Sequence, residues 1–195
     1  ADIAPIRTAM AGVCAHLGDC LLPGYTRQAH ITLHLCGFPA ASPVQPDDWP
    51  ISTLTQQLQA LSDMAPSPFT LEIGRADSFS SVPYLSVHDP EEGITALRRL
   101  LGEHDRTPEH PYVPHVTCGL YGGEFPMAPI REKLAACPVQ RQTLPVTRVH
   151  LMAYEAALIG GPLFSLCAFD LETRRLQPTR LPAWASQFAK AFQNT

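Results

Sequence analysis

The sequence predicts an α+β fold in which two similar lobes share a core built on an antiparallel or mixed sheet. Helical and strand-like segments alternate along the 195 residues, without the glycine-rich phosphate loops of nucleotide-binding folds. The pattern H-x-T occurs twice, at 30–32 and 115–117, in apolar and β-branched surroundings. The copies lie almost half the chain apart, which indicates one copy in each lobe.

Periodicity predicts two helices and three strands in the first half of the chain. Asp47 and Asp48 are candidate N-terminal caps for the second helix. The first strand contains the first H-x-T copy, shows the alternation of a half-buried strand and ends at Gly37. In order, the elements are a helix over 6–18, a strand over 30–36, a helix through Met64, and strands over 69–74 and 84–87.

The second half begins with Asp89-Pro90-Glu91-Glu92, a typical helix start in which Asp caps and Pro fits the first turn. This helix fades by Asp105, and Arg98-Arg99 is expected on its solvated face. The remaining elements are a strand over 115–121, a helix over 128–136, a hairpin of strands 146–155 and 163–171, and a last helix over 182–193.

Composition favours one globular domain without a nucleic-acid-coating surface. Hydrophobic residues make up 45% and charged residues 16%, and the net charge of −4 argues against a duplex DNA partner. We expect a single two-lobed domain over 1–175 and a C-terminal extension with an amphipathic helix over 176–195. No apolar run reaches about twenty residues, so no membrane partner is expected. The six cysteines form no C-x-x-C pair, which predicts reduced thiols in a cytoplasmic protein.

The two H-x-T copies point to acid/base chemistry at a phosphate. Residues two apart in a strand face the same side, so each copy would present an imidazole and a hydroxyl together. Near neutral pH one histidine can take a proton from a nucleophile while the other donates one to the leaving oxygen. The threonine hydroxyls can donate to the non-bridging oxygens. Such a site needs no metal and no cofactor.

Other interpretations of these residues remain open at this point. Histidine and threonine in strands are often ordinary packed or solvated residues. Clustered histidines can bind a metal, but the zinc motif H-E-x-x-H does not occur. His34 is followed by Leu35-Cys36, which is not a metal-ligand pattern, so we expect no metal site. No G-x-S-x-G or recognisable nucleophilic cysteine supports a serine or cysteine hydrolase. In an ideal strand His34 shares a face with His30 and could support it.

The flanks of the two copies resemble a known family. The segment His30-Ile31-Thr32-Leu33-His34-Leu35-Cys36-Gly37 resembles H-x-T-L-x-F-L-G, and Tyr112-Val113-Pro114-His115-Val116-Thr117 resembles aromatic-x-P-H-x-T. Both patterns belong to the 2H phosphoesterase superfamily, within its bacterial 2′-5′ RNA ligase and RNA 2′,3′-cyclic phosphodiesterase group. Ser78-Phe79 also resembles a family segment, and the likeness covers roughly 5–171.

The resemblance implies a pseudo-symmetric fold with sheets lining a central groove and helices outside. It implies that His30, Thr32, His115 and Thr117 are the catalytic residues. It further implies that His30 is the general acid at the leaving ribose oxygen and His115 the general base toward water.

The expected substrate is an RNA end or a nucleotide with a 2′,3′-cyclic phosphate or a 2′-5′ linkage. The alternative within the same chemistry is a small nucleotide or an ADP-ribose-type cyclic phosphate. The alternative outside it is a non-catalytic nucleotide- or RNA-end-binding module. Aromatic residues can stack on bases, and arginine can neutralise phosphate; core packing and solvation are their ordinary roles. The candidate substrate-binding residues are Tyr25, Arg27, Phe79, Tyr112 and Tyr154.

Overall fold

The computed structural model of the chain describes residues 3–40, 42–102, 111–179 and 185. It confirms the predicted α+β class, with four α-helices and nine strands in the described residues. In chain order these are α1 (Ala4–Leu17), β1 (Phe38–Ala40), β2 (Asp48–Pro50), α2 (Ile51–Met64), β3 (Phe69–Ser78), β4 (Pro83–His88), α3 (Gly93–Leu100), β5 (His115–Thr117), α4 (Met127–Ala136), β6 (Gln142–Val146), β7 (Arg148–Ala153), β8 (Phe164–Asp170) and β9 (Arg175–Pro178).

The described strands form two antiparallel sheets and one short parallel pair. The larger sheet has the order β5-β4-β3-β6, and the smaller one has the order β7-β8-β9. The predicted hairpin is confirmed as β7 and β8. Four strands were not predicted. Strands β1 and β2 form the short parallel pair, β6 is separate from β7, and β9 carries the smaller sheet to Pro178, beyond the expected boundary at 175.

Two hydrophobic clusters form the core. One combines buried residues of α2, α3 and β8, and the other combines buried residues of α1, α4, β4 and β5. The long strand β3 contributes to both, with Leu71 in the first cluster and Ile73 in the second. Ile31 of the first H-x-T copy also packs against both clusters. The first copy therefore lies where the two clusters meet.

The predicted strand over 30–36 is not a strand in the structure, where these residues form an irregular segment. Side chains from distant parts of the chain bind its backbone: Tyr112 donates to the carbonyl of Thr32, and Arg98 to that of Leu33. Ile31 and Leu33 face the core as the alternation predicts, but Leu35 is 72% exposed and Cys36 packs against the first cluster instead. The alternation therefore stops after Leu33, and a strand also needs a neighbouring ladder. The chain enters β1 through Gly37 at φ 105°, where a Cβ would collide with the carbonyl oxygen of Asp47.

The N-terminal ends of α2 and α3 differ from the prediction, because the predicted capping residues bind other backbone groups or lie further from the helix. Helix α2 begins after Pro50, and the Asp48 carboxylate instead accepts the backbone N–H groups of Val44 and Gln45. Helix α3 begins at Gly93, and its first two N–H groups bind the carboxylate of Asp89. The prediction that Asp47 or Asp48 caps α2 is therefore wrong. Asp89 does cap α3, although it lies four residues before Gly93 in the sequence.

Three further expectations concern the second half of the chain. Strand β5 is shorter than the predicted 115–121 and ends at Thr117. Arg98 is half-buried rather than on a solvated face, and only Arg99 is exposed. Apart from residue 185, the predicted helix over 182–193 lies outside the described residues. None of the helices in the described ranges is long and apolar enough to cross a membrane.

Candidate active site

Strand β5 holds the second H-x-T copy in a regular ladder. It pairs antiparallel with β4, placing His115 opposite Ser86 and Thr117 opposite Tyr84. Val116 is 2% exposed and packs in the core, while His115 and Thr117 are only partly buried. Since alternate residues of a strand face opposite sides, the imidazole and the hydroxyl share the face away from Val116.

Two aromatic rings pack against the His115 imidazole. The Phe79 ring meets it edge-on, with centroids 5.1 Å apart and an interplanar angle of 82°. The Tyr84 ring lies 5.5 Å away at a tilt, and Phe79 stacks on Tyr84 at 4.4 Å. These contacts limit the orientations of His115 and make one side of the site apolar.

The two histidines have the same local geometry. His30 Nδ1 lies 2.8 Å from the carbonyl oxygen of Gln28, and His115 Nδ1 lies 2.8 Å from that of Val113. A carbonyl can only accept, so in both rings Nδ1 carries the proton and donates it. In the neutral rings Nε2 therefore has the lone pair. This arrangement orients both imidazoles for proton transfer at Nε2.

Burial lowers the pKa of His30 below its ordinary value, and the charges of Arg27 and His115 lower it further. The hydrogen bond to the Gln28 carbonyl acts in the opposite direction. The Tyr112 hydroxyl, three residues before His115, donates to the carbonyl of Thr32, two residues after His30. This hydrogen bond joins the two segments that carry the histidines, although only the second copy lies in a strand.

The two threonines offer hydroxyl groups in the same region. Both are partly buried, and neither the Thr32 nor the Thr117 hydroxyl binds another residue in the described ranges. A half-buried hydroxyl of this kind can donate to an oxygen of a bound ligand.

Arg27 and Tyr154 form a pair beside His30. The Arg27 guanidinium carbon lies 4.5 Å from the centroid of the Tyr154 ring, and Nε donates to the carbonyl of Gly161 at 3.1 Å. Tyr25 packs against Gly160, whose φ of 69° and lack of a Cβ permit the close approach. Three of the five candidate substrate-binding residues therefore lie where the segment before His30 meets the β7–β8 connection.

The other two candidates have different surroundings. Phe79 packs against His115, as described above. The Tyr112 hydroxyl donates to the carbonyl of Thr32 at 2.7 Å, and the Arg98 guanidinium carbon lies 3.6 Å from the centroid of the Tyr112 ring. Both the hydroxyl and one ring face of Tyr112 are thus engaged within the protein.

Several residues of the site escape sequence reasoning. The Gln28 amide makes two hydrogen bonds with the backbone of Leu163, at 3.1 and 2.8 Å, and Gln28 also provides the carbonyl that His30 binds. Tyr84 contacts His115 because the register of β4 and β5 places Tyr84 opposite Thr117, on the strand that carries His115. Arg98 belongs to a pair of arginines that sequence alone places in solvent. Of these residues only Tyr84 could have been suspected from the sequence, because it is an aromatic residue in a predicted strand. The contacts of Gln28 and Arg98 are with residues far away in the sequence.

His34 contacts a glutamine of helix α2. Its Nε2 lies 3.3 Å from the Gln57 amide nitrogen of α2. Within the described ranges, no group of three or more His, Cys, Asp or Glu side chains is placed to hold a metal ion. The arrangement can supply two imidazoles and two hydroxyls, with one guanidinium nearby.

A family model described as the 2′-5′ RNA ligase superfamily matches residues 5–157. The crystal structure of TT0787 of Thermus thermophilus is similar over 86% of this chain and 92% of that one, with a TM-score of 0.52. The two sequences are 20% identical, so this likeness concerns the fold alone. A comparison with curated proteins finds no match.

Proposed function

Because the chain belongs to the 2′-5′ RNA ligase superfamily, we propose that it is a metal-independent phosphodiesterase with two-histidine acid/base catalysis. Its substrates are 2′,3′-cyclic phosphates or 2′-5′ phosphodiester bonds of RNA ends or nucleotides. The observation that carries the proposal is the matched geometry of His30 and His115, each with Nδ1 on a carbonyl at 2.8 Å. Two imidazoles in the same tautomer can exchange protons with one phosphate from Nε2.

In this reaction water attacks the phosphorus of a cyclic phosphate. The neutral His115 takes the water proton at Nε2, and the new P–O bond forms as the bond to one ribose oxygen breaks. The protonated His30 gives its Nε2 proton to that oxygen, which leaves as a hydroxyl. The hydroxyls of Thr32 and Thr117 donate to the non-bridging oxygens, where negative charge increases.

The lowered pKa of His30 bears on its role as the acid. In the free protein this shift favours the neutral ring, which is the form that a base needs. A phosphodiester bound beside His30 brings a negative charge, which favours the protonated ring and raises its pKa. The proposed acid role thus requires that substrate binding protonates His30.

Four side chains are proposed to contact the substrate beyond the phosphate. The positive charge of Arg27 lowers the pKa of His30, and we propose that the same charge attracts a phosphate oxygen. Tyr25 and Tyr154, at the same junction, and Phe79, beside His115, offer aromatic surface for a base or ribose.

The experiment is an assay of 2′,3′-cyclic nucleotides, RNA ends with cyclic phosphates, 2′-5′ dinucleotides and ADP-ribose-type cyclic phosphates, all in EDTA. We expect turnover that the chelator does not reduce. His30→Ala and His115→Ala should each lose about 10²- to 10⁴-fold in rate, the typical contribution of a general acid or base. The control is His16→Ala, which changes an exposed histidine at the end of α1.

Two results would overturn the proposal. Loss of activity in EDTA that zinc restores would identify a metal-dependent reaction. Binding of a cyclic nucleotide without turnover would identify a non-catalytic binding module.

A further inference from the structure

The two H-x-T copies are held in place by different means. The second copy is part of β5, whose three residues pair in register with β4. The first copy lies in an irregular segment outside the strands. Catalysis by two histidines needs both at a fixed spacing, so some other structure must hold the first copy.

Two side chains bind consecutive carbonyl groups, those of Thr32 in the first copy and of Leu33 directly after it. The Tyr112 hydroxyl donates to Thr32 at 2.7 Å, and Arg98 Nη1 donates to Leu33 at 2.6 Å. The Arg98 guanidinium also stacks on the Tyr112 ring, with 3.6 Å from its carbon to the ring centroid. A planar guanidinium can stack and donate at the same time, so each side chain orients the other.

These contacts tie the two copies together directly. Tyr112 comes three residues before His115, and its acceptor Thr32 comes two residues after His30. Burial raises the pKa of Tyr112 to about 12, so the hydroxyl remains a donor throughout the pH range of histidine titration. Arg98 adds an anchor from α3, which packs in the first hydrophobic cluster.

We propose that Tyr112 and Arg98 are positioning residues that fix His30 at its working distance from His115. We name this pair the Tyr112–Arg98 clamp; its role in turnover rests on the proposed phosphodiesterase function. The clamp acts on the backbone of the first copy rather than on the substrate. Its loss should therefore slow the chemical step without weakening substrate binding.

The kinetic test uses Tyr112→Phe, which keeps the ring under Arg98 and removes the hydroxyl. We expect kcat to fall roughly 10- to 100-fold, as for a small misplacement of a catalytic group, with KM within about twofold of the unaltered protein. An unchanged kcat would overturn the proposal. A raised KM with unchanged kcat would also overturn it, because that result makes Tyr112 a substrate contact.

Matched variants separate positioning from general destabilisation. Thr179→Val also removes a hydroxyl that donates to backbone carbonyls, at Ser165 and Leu166, and should leave kcat unchanged. Arg98→Met should lower kcat as Tyr112→Phe does. Arg98→Lys should recover only part of the lost kcat, because an ammonium group is not planar and cannot stack on the Tyr112 ring while it donates to the Leu33 carbonyl. The neighbouring Arg99→Met is the control on the exposed side of α3. Equal losses for Arg98→Met and Arg99→Met would contradict the clamp.

A readout independent of turnover tests the clamp alone. Imidazole titrations followed by NMR should show the pKa of His30 rising in Tyr112→Phe, because a released segment becomes more hydrated and moves from the charges of Arg27 and His115. His150 on β7 is the internal control and should not shift. If the unaltered protein turns over no phosphodiester, the proposed function fails, while this titration still decides the clamp. An unchanged His30 titration would overturn it.

Discussion

Each histidine of the pair is oriented by a carbonyl of its own segment, two residues earlier in the chain. This local device gives both rings the same tautomer and leaves Nε2 for proton transfer. The H-x-T pattern predicted which residue types come together, and the structure adds the orientation. The tautomer could not be predicted, because it depends on the local backbone conformation that places each carbonyl against Nδ1.

The division of labour between the histidines can be tested at this scale. An aryl phosphodiester with an acidic phenol as the leaving group needs no proton from the enzyme. We expect His30→Ala to regain most of its activity on this substrate, because only the acid is missing, while His115→Ala stays inactive without its base. The measurement is the ratio of rates on aryl and ribose substrates for each variant. Rescue of His115→Ala alone would show that the roles are reversed.

At the scale of elements, regular periodicity predicted the four helices of the described residues and the β7–β8 hairpin. The prediction failed for the segment around His30, although its alternation is that of a strand. Its backbone partners are Arg98 and Tyr112, which are 65 and 80 residues from their acceptors in sequence. No local pattern contains such information. The β4–β5 register that brings Tyr84 to His115 could not be predicted for the same reason.

Arg27 lies where the segment before His30 meets the β7–β8 connection, and we expect it to contact the substrate. Arg27→Met should raise KM for a cyclic nucleotide about tenfold or more, since a hydrogen bond to a charged group contributes ~1.5–3 kcal/mol. It should also raise the pKa of His30 by removing a nearby positive charge. Steady-state kinetics and NMR titration measure the two effects. Arg7→Met on the exposed side of α1 is the control, and an unchanged KM for Arg27→Met would exclude a substrate contact.

At the scale of the whole molecule, the site depends on both hydrophobic clusters. Ile31 packs against both, and β3 runs through both, so the first H-x-T copy lies at their meeting point. The repeated motif, nearly half a chain apart, predicted one copy in each of two lobes, whereas Ile31 of the first copy packs against both clusters. It could not predict that one copy lies in a strand and the other is held by side chains. The spacing of the histidines is thus a property of the assembled fold.

The pH dependence of kcat/KM, measured in EDTA on a 2′,3′-cyclic nucleotide, tests the central claim most directly. We expect a bell-shaped profile with both limbs in the histidine range and one limb below the ordinary histidine value, because the pKa of His30 is lowered in the free protein. The two apparent values belong to the coupled pair. Replacing either histidine should abolish one limb along with most of the rate. A profile that stays flat from roughly pH 5 to 8 would contradict the two-histidine mechanism, since that interval contains the titration of histidine.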